Sequence, residues 1–268
     1  MNAMILRRFA SRLQVAADGP ASAVPPGTRV YAVGDIHGRA DLLGELVDKI
    51  VEDGRGSAVP TKRIVFLGDY VDRGLQSREV IDLVLDGLPA GFDAIALKGN
   101  HEEFMLRFLE DVRFGPGWLM NGGGATLVSY GARLAEWSDE PERLDDLRRQ
   151  LCANLPDRHL QFLRALRRWH VEGDYLFVHA GIRPGVPLEA QQDEDILWIR
   201  EEFLDHRSNH GKIVVHGHTI ASAPVVRPNR IGIDTGAYAT GVLTCLVLEG
   251  AERRFLQTGA AAEDGRSA

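Results

Sequence analysis

The chain has 268 residues, of which 44% are hydrophobic and 26% charged, the balance of a soluble globular protein with a substantial core. A formal net charge of −7 excludes a general nucleic-acid binder, so no duplex binding is expected and an anionic substrate must be drawn by a local positive centre such as metal ions. The only two cysteines, Cys152 and Cys245, lie far apart and outside any C-x-x-C spacing, which excludes a zinc ribbon and a disulfide framework.

Met1 to Val15 carries Arg7, Arg8 and Arg12 among Ile5, Leu6, Phe9 and Leu13, without a continuous apolar stretch or a cleavage site, and reads as an N-terminal arm rather than a secretory signal. Ala16 to Gly27, rich in Ala, Gly and Pro, reads as a linker, so residues 1–27 precede a domain spanning 28–258. No apolar run approaches the ~18 residues of a membrane span, and a cytoplasmic protein with reduced thiols is the expectation.

The next hundred residues repeat one pattern three times. Val30 to Val33 is a strand, followed by Gly34-Asp35-Ile36-His37-Gly38 and a helix with Leu42, Leu43, Leu46, Val47, Ile50 and Val51 on one face. Ile64 to Leu67 leads into Gly68-Asp69-Tyr70-Val71-Asp72-Arg73-Gly74 and a helix carrying Val80, Ile81, Val84, Leu85 and Leu88. Ala94 to Leu97 leads into Gly99-Asn100-His101-Glu102 and a helix with Phe104, Met105, Phe108, Leu109 and Val112. Strand, loop and helix in succession predict an α/β fold with parallel strands, whose ligand site lies beyond the carboxyl ends of the strands.

Residues from about 111 to 169 hold no convincing strand; Trp118 and the run Gly122-Gly123-Gly124 open a loop-rich piece, and Leu144 to Leu166 reads as helical, together a helical cap inserted between two halves of the domain. Strands are expected at Tyr175 to Val178, Ile213 to Val215, Arg230 to Ile233, Leu243 to Leu248 and Glu252 to Gln257, with one short helix from Glu194 to Phe203. Residues 259–268 read as a disordered tail.

Two more clusters follow strands: His179-Ala180-Gly181 and Gly217-His218-Thr219. Asp35 and His37, two apart in a chain leaving a strand, point the same way and reach one ion. Asp69 stands at the second tip, where a carboxylate can bridge two cations; Asn100 offers a neutral oxygen, and His179 and His218 offer imidazole nitrogen. Oxygen and nitrogen donors without thiolate suit Mn, Fe, Zn or Co. Two such ions ~3.5–4 Å apart can hold a hydroxide and clamp a phosphoryl group for in-line displacement. That chemistry also needs a positive clamp on the phosphate, which Arg73 supplies, and a proton donor for the leaving oxygen. His101, beside Asn100, takes that role, with Asp72 holding its ring.

These motifs in this order resemble the phosphoprotein phosphatase family of metallophosphoesterases. Trp118 to Gly124 (WLMNGGG), Leu197 to Glu201 (LWIRE) and Ile233 to Ala237 (IDTGA) resemble the bacteriophage-lambda type of bacterial serine/threonine phosphatase. The resemblance runs from about Thr28 to Leu256 and implies a metallophosphoesterase-like four-layer α/β/β/α sandwich. It implies that Asp35, His37 and Asp69 hold one metal, that Asp69, Asn100, His179 and His218 hold the other, and that manganese fills both, with iron and zinc as alternatives. It also implies phosphate binding by Arg73 and by Arg200, which LWIRE alone brings forward, since helix spacing makes Arg200 a solvated charge.

Serine/threonine phosphoprotein or phosphopeptide hydrolysis, tyrosine included, is the expected activity, and hydrolysis of dinucleoside polyphosphates the alternative, because symmetrical diadenosine tetraphosphatases share the motifs. GNHE, Gly217-His218-Thr219 and WLMNGGG favour the first; HAGI at His179 to Ile182 and LTCL at Leu243 to Leu246 resemble the second. Lys98 stands where the lambda type carries arginine. A binding module that had lost catalysis would lack a ligand or the acid, and every part is present.

Overall fold

The computed structural model describes residues 22–134 and 139–259; the expectations for the arm before residue 22 and for residues 260–268 lie outside these. Ten strands and ten α-helices are formed among them. β1 (Thr28–Val33), β2 (Thr61–Phe66) and β3 (Asp93–Ala96) are separated by α1 (Ala40–Arg55) and α2 (Ser77–Asp86) and followed by α3 (Asn100–Glu110). The cap holds α4 (Gly115–Trp118), a π-helical turn over Leu119–Gly123, α5 (Gly124–Ser129), α6 (Pro141–Asn154) and α7 (Asp157–Ala165). Next come β4 (Trp169–Glu172), β5 (Tyr175–Val178), α8 (Asp193–Trp198), α9 (Glu201–Leu204), β6 (Ile213–His216), β7 (Val225–Val226), β8 (Arg230–Gly232), α10 (Ala237–Thr240), β9 (Thr244–Glu249) and β10 (Glu252–Gln257).

The strands form two five-stranded sheets, ordered β10-β9-β1-β2-β3 and β4-β5-β6-β8-β7. β1, β2 and β3 run parallel, with Val33, Phe66 and Ala96 in one register row, so their following loops leave the sheet side by side. β5, β6 and β8 are parallel likewise, with Phe177, Val215 and Ile231 aligned.

Alternation along the strands builds the layers. Val30, Ala32, Val65 and Leu67 face Tyr175, Phe177, Ile213 and Val215 of the other sheet, giving a core between the sheets. Tyr31, Val33, Ile64 and Phe66 point the opposite way, onto α1, α2, α3 and the cap. Leu176, Val178 and Val214 pack beneath Ile196, Leu197 and Phe203 of α8 and α9. Helices therefore cover both outer faces, and the expected α/β/β/α sandwich is the fold.

Local chemistry explains where the structure departs from the expected elements. The helix read from Leu144 to Leu166 is two, because Pro156 cannot continue the first: α6 ends at Asn154 and Leu155 turns extended (ψ 114). The helix read from Glu194 to Phe203 breaks at Ile199 (ψ 143), leaving Arg200 between α8 and α9. β4 and the two-residue β7 are antiparallel edge strands that the sequence pattern did not announce. Part of the segment read as a linker is docked: Val24 is buried and donates its N–H to the Gly250 carbonyl (3.0 Å), and Ala23 N–H donates to Asp174 (2.9 Å). No helix among the described residues is long and apolar enough to cross a membrane.

Candidate metal centre

The five motif loops meet at one edge of the sandwich, three from the first sheet and two from the second. Backbone bonds lace the first two together: Ile36 and His37 N–H donate to the Asp69 carbonyl, Gly38 N–H to Tyr70, and Gly74 N–H to His37. The lacing needs glycine, because a Cβ on Gly38 would strike the Gly74 carbonyl. The Glu102 carboxylate ties in the third, accepting N–H bonds from Asp69 (2.9 Å), Tyr70 (2.8 Å), Val71 (3.2 Å) and Gly99 (2.9 Å). From the second sheet, Gly217 N–H donates to the His179 carbonyl (2.8 Å) and His218 N–H to Asp35 Oδ2 (2.9 Å).

Asp69 Oδ2 lies at the middle: 3.5 Å from His37 Nε2, 3.5 Å from His179 Nε2 and 3.8 Å from His101 Nε2. Two buried groups of donor atoms share it, His37–Asp69–His101 and Asp69–His179–His218. Asn100 joins the second group, its Oδ1 2.8 Å from His179 Nε2. Asp35 belongs to neither tight group, but it lies alongside through its bond to His218.

The imidazoles are turned to present lone pairs. His37 Nδ1–H donates to the Val71 carbonyl and His179 Nδ1–H to that of Leu67, both at 2.9 Å, which turns each Nε2, without a proton in the neutral ring, toward the centre. Burial drives His37 down to about 3 and His218 to about 2, so both are neutral, the form that binds a cation. Burial and then the charges of Asp234 and Asp69 push the Asp35 carboxyl well above its usual range, and burial raises Asp234 to about 6. Burial also works against the Asp69 anion, but His179, His101, His37 and His218 together outweigh it and hold its carboxyl low. Among the described residues, the buried side-chain polar atoms with no hydrogen-bond partner are Asp35 Oδ1 and His218 Nε2. Such atoms carry a full desolvation cost, and two of them in one cluster of oxygen and nitrogen donors fit divalent cations.

Beside this cluster His101 Nδ1–H donates to Asp72 Oδ2 (2.6 Å), and the ring's other nitrogen faces inward. Burial pulls His101 down, yet Asp69 and Asp72 more than offset it and raise its pKa. The Arg73 guanidinium lies between His37 Nε2 (2.7 Å) and His101 Nε2 (3.2 Å), with its outer face on the Tyr238 ring at 4.7 Å. Arg200 reaches in from the rim, exposed, with NH1 3.2 Å from Thr219 Oγ1. Lys98, by contrast, turns away and pairs with Glu103.

Backbone conformation marks the same residues. Five non-glycine residues among those described have left-handed φ: His37 (48°), Asp69 (53°), Asp72 (73°), Arg73 (68°) and His218 (62°). All five are site residues named from the sequence. Strain of this kind costs of order 1–3 kcal/mol per residue and persists where surrounding bonds over-determine it.

The sequence reading missed several neighbours. Glu102, fully buried, organises the loops rather than joining the donors; burial, then the Asp69 charge, raises its carboxyl to about 7. Asp234 and Tyr238 flank the first group, Tyr238 edge-on to His37 at 5.5 Å, and Trp198 stands edge-on to His218 at 6.1 Å. IDTGA and LWIRE were signals that could have pointed to them. His216 is buried and spends Nε2 on Arg230 (3.2 Å), while His159 bonds Tyr130 and Asp82 far from the centre.

The calcineurin-like phosphoesterase family model matches residues 28–240. The chain is similar to a symmetrical bis(5'-nucleosyl)-tetraphosphatase of Aromatoleum aromaticum, 30% identical over 66% of this chain and 55% of that protein. It thus spans about half the length of that relative. An asymmetrical bis(5'-nucleosyl)-tetraphosphatase of Anoxybacillus flavithermus is 27% identical over 80% of this chain and 88% of its own. The serine/threonine-protein phosphatase 6 catalytic subunit of Caenorhabditis elegans is 41% identical, over 31% of this chain and 23% of its own.

Proposed function

We propose that this chain, which belongs to the calcineurin-like phosphoesterase family, uses the donor atoms gathered around Asp69 to bind a pair of divalent ions and cleave a phosphoester or phosphoanhydride bond. Asp35, His37 and Asp69 hold one ion, and Asp69, Asn100, His179 and His218 the other, with manganese the first candidate and iron or zinc the alternatives. The observation that carries this is the unpartnered pair of atoms, Asp35 Oδ1 and His218 Nε2, within the cluster centred on Asp69. Bound divalent ions supply a nucleophile at neutral pH and neutralise charge on the phosphoryl group. Arg73 and Arg200 bind the phosphate oxygens through their forked guanidinium groups. His101, its Nδ1–H fixed on Asp72, delivers a proton from Nε2 to the departing oxygen as the P–O bond breaks.

For the substrate we take a dinucleoside polyphosphate first. The two tetraphosphatase relatives match over 66% and 80% of this chain. Trp198 and Tyr238, each 37% exposed beside a donor histidine, also offer planar faces on which a base can stack. Phosphopeptide hydrolysis is the second reading, favoured by the 41% identity to the protein phosphatase relative and by the WLMNGGG segment.

A side-by-side assay with manganese distinguishes them. Diadenosine tetraphosphate should exceed phosphoserine, phosphothreonine and phosphotyrosine peptides by about tenfold or more in kcat/KM, roughly 1.4 kcal/mol of transition-state binding. A tenfold preference for a peptide reverses the order, and no hydrolysis of any of them with any divalent ion removes the reading.

A further inference from the structure

The cap contributes side chains to the acid end of the site. Asp72, fully buried, divides its carboxylate between His101 and two cap residues. Oδ1 accepts from Thr126 Oγ1 (2.6 Å), and Trp118 Nε1–H lies 3.1 Å from Oδ1 and 2.9 Å from Oδ2, the oxygen that also accepts His101 Nδ1–H. Thr126 Oγ1 also accepts the Asp72 backbone N–H at 2.8 Å, with Ser77 Oγ 3.0 Å away. The next residue is held as well, because Arg73 N–H donates to the Gly122 carbonyl (3.2 Å) and a Cβ on Gly122 would strike Arg73.

Asp72 and Arg73 are consecutive non-glycine residues in the left-handed region. An isolated chain would relax from that conformation. Besides Ser77 Oγ, which accepts the Asp72 N–H at 3.2 Å, the bonds that hold it come from cap residues Trp118, Gly122 and Thr126.

We propose that Thr126 and Trp118 are positioning residues for the proton donor: by fixing both oxygens of Asp72 they set the orientation of the His101 ring. Through Trp118 the WLMNGGG segment thereby takes part in positioning the acid. The proposal rests on His101 being the proton donor, and its test separates the two.

Thr126→Val keeps the shape but loses both bonds to Asp72, whereas Thr126→Ser keeps them; Trp118→Phe removes only the indole donor among the polar contacts. Each is compared with wild type and His101→Asn on a phosphoserine peptide and on p-nitrophenyl phosphate, whose leaving group needs little proton donation. Circular dichroism and thermal melting establish that each variant is folded. Thr126→Val should lose about tenfold in kcat on the alkyl ester and less than threefold on the aryl ester, with KM unchanged. Trp118→Phe should show the same selectivity, and Thr126→Ser should recover to within about threefold of wild type. Equal losses on both esters in Thr126→Val, or a loss in Thr126→Ser as large as in valine, would overturn the positioning role while His101→Asn remains selective. If His101→Asn itself loses both esters equally, the acid assignment falls and the proposal with it.

Discussion

The loops after β1, β2 and β3 differ from those after β5 and β6 in how their site residues are held. In the first sheet they are gripped by backbone: the Asp69 carbonyl takes two N–H bonds, and Glu102 gathers four. In the second sheet His179 and His218 are buried, but Arg200 is exposed and held through a single bond to Thr219 Oγ1 and a long one (3.5 Å) to the His218 carbonyl. The donor groups thus sit on hydrogen-bonded backbone, whereas Arg200, one of the two arginines proposed to meet the phosphate, sits on a loosely held arm. Mutations at the two kinds of position should separate accordingly.

The largest effect belongs to Asp69, the one donor common to both groups. Asp69→Asn should lower kcat by at least about 10³-fold, the upper range for removing one charge-stabilising group, with the thermal unfolding midpoint barely lowered. Unchanged turnover would break the account of a shared ligand. Next comes His101→Asn, with a loss of about 10²-fold on alkyl phosphates and under tenfold on p-nitrophenyl phosphate.

The two arginines test the contrast itself. Arg73→Ala should cost about 2 kcal/mol of transition-state binding, roughly thirtyfold in kcat/KM, as expected for a half-buried charge-assisted contact. Arg200→Ala should cost roughly threefold to tenfold, expressed in KM, because an exposed guanidinium is screened by solvent. Equal losses would mean that the free arm is as ordered as the backbone-held one.

Much of this site was legible in the sequence because the first sheet writes strand, motif and helix in plain order. Asp35, Asp69 and Asn100 each follow an apolar run closely, and parallel register brings such tips together without further information. The cap contacts were not legible: Trp118 and Thr126 meet Asp72 through folding across 46 and 54 residues. Nor was Arg200, whose stretch has unbroken helical spacing although the backbone turns extended at Ile199. Glu102 reads as a charge on the first turn of α3, and only the approach of the loop after β2 to the loop after β3 gives it four partners.

The smallest effect lies away from the centre. Burial holds the His159 imidazole below its usual value, although Asp82 works the other way. A base depressed in the folded state takes up fewer protons than the unfolded chain, so stability falls as pH drops below the unfolded value of about 6.5. His159→Gln should flatten that acid-side decline in urea unfolding between pH 7.5 and 5.5, leaving kcat within twofold. An unchanged slope would place the decline in other groups.

Two divalent ions are proposed to share Asp69. Equilibrium dialysis of the metal-stripped chain against manganese counts them directly. Two ions per chain in the wild type and at most one in Asp69→Asn is the predicted result; a single ion in the wild type, or two in both, would contradict it.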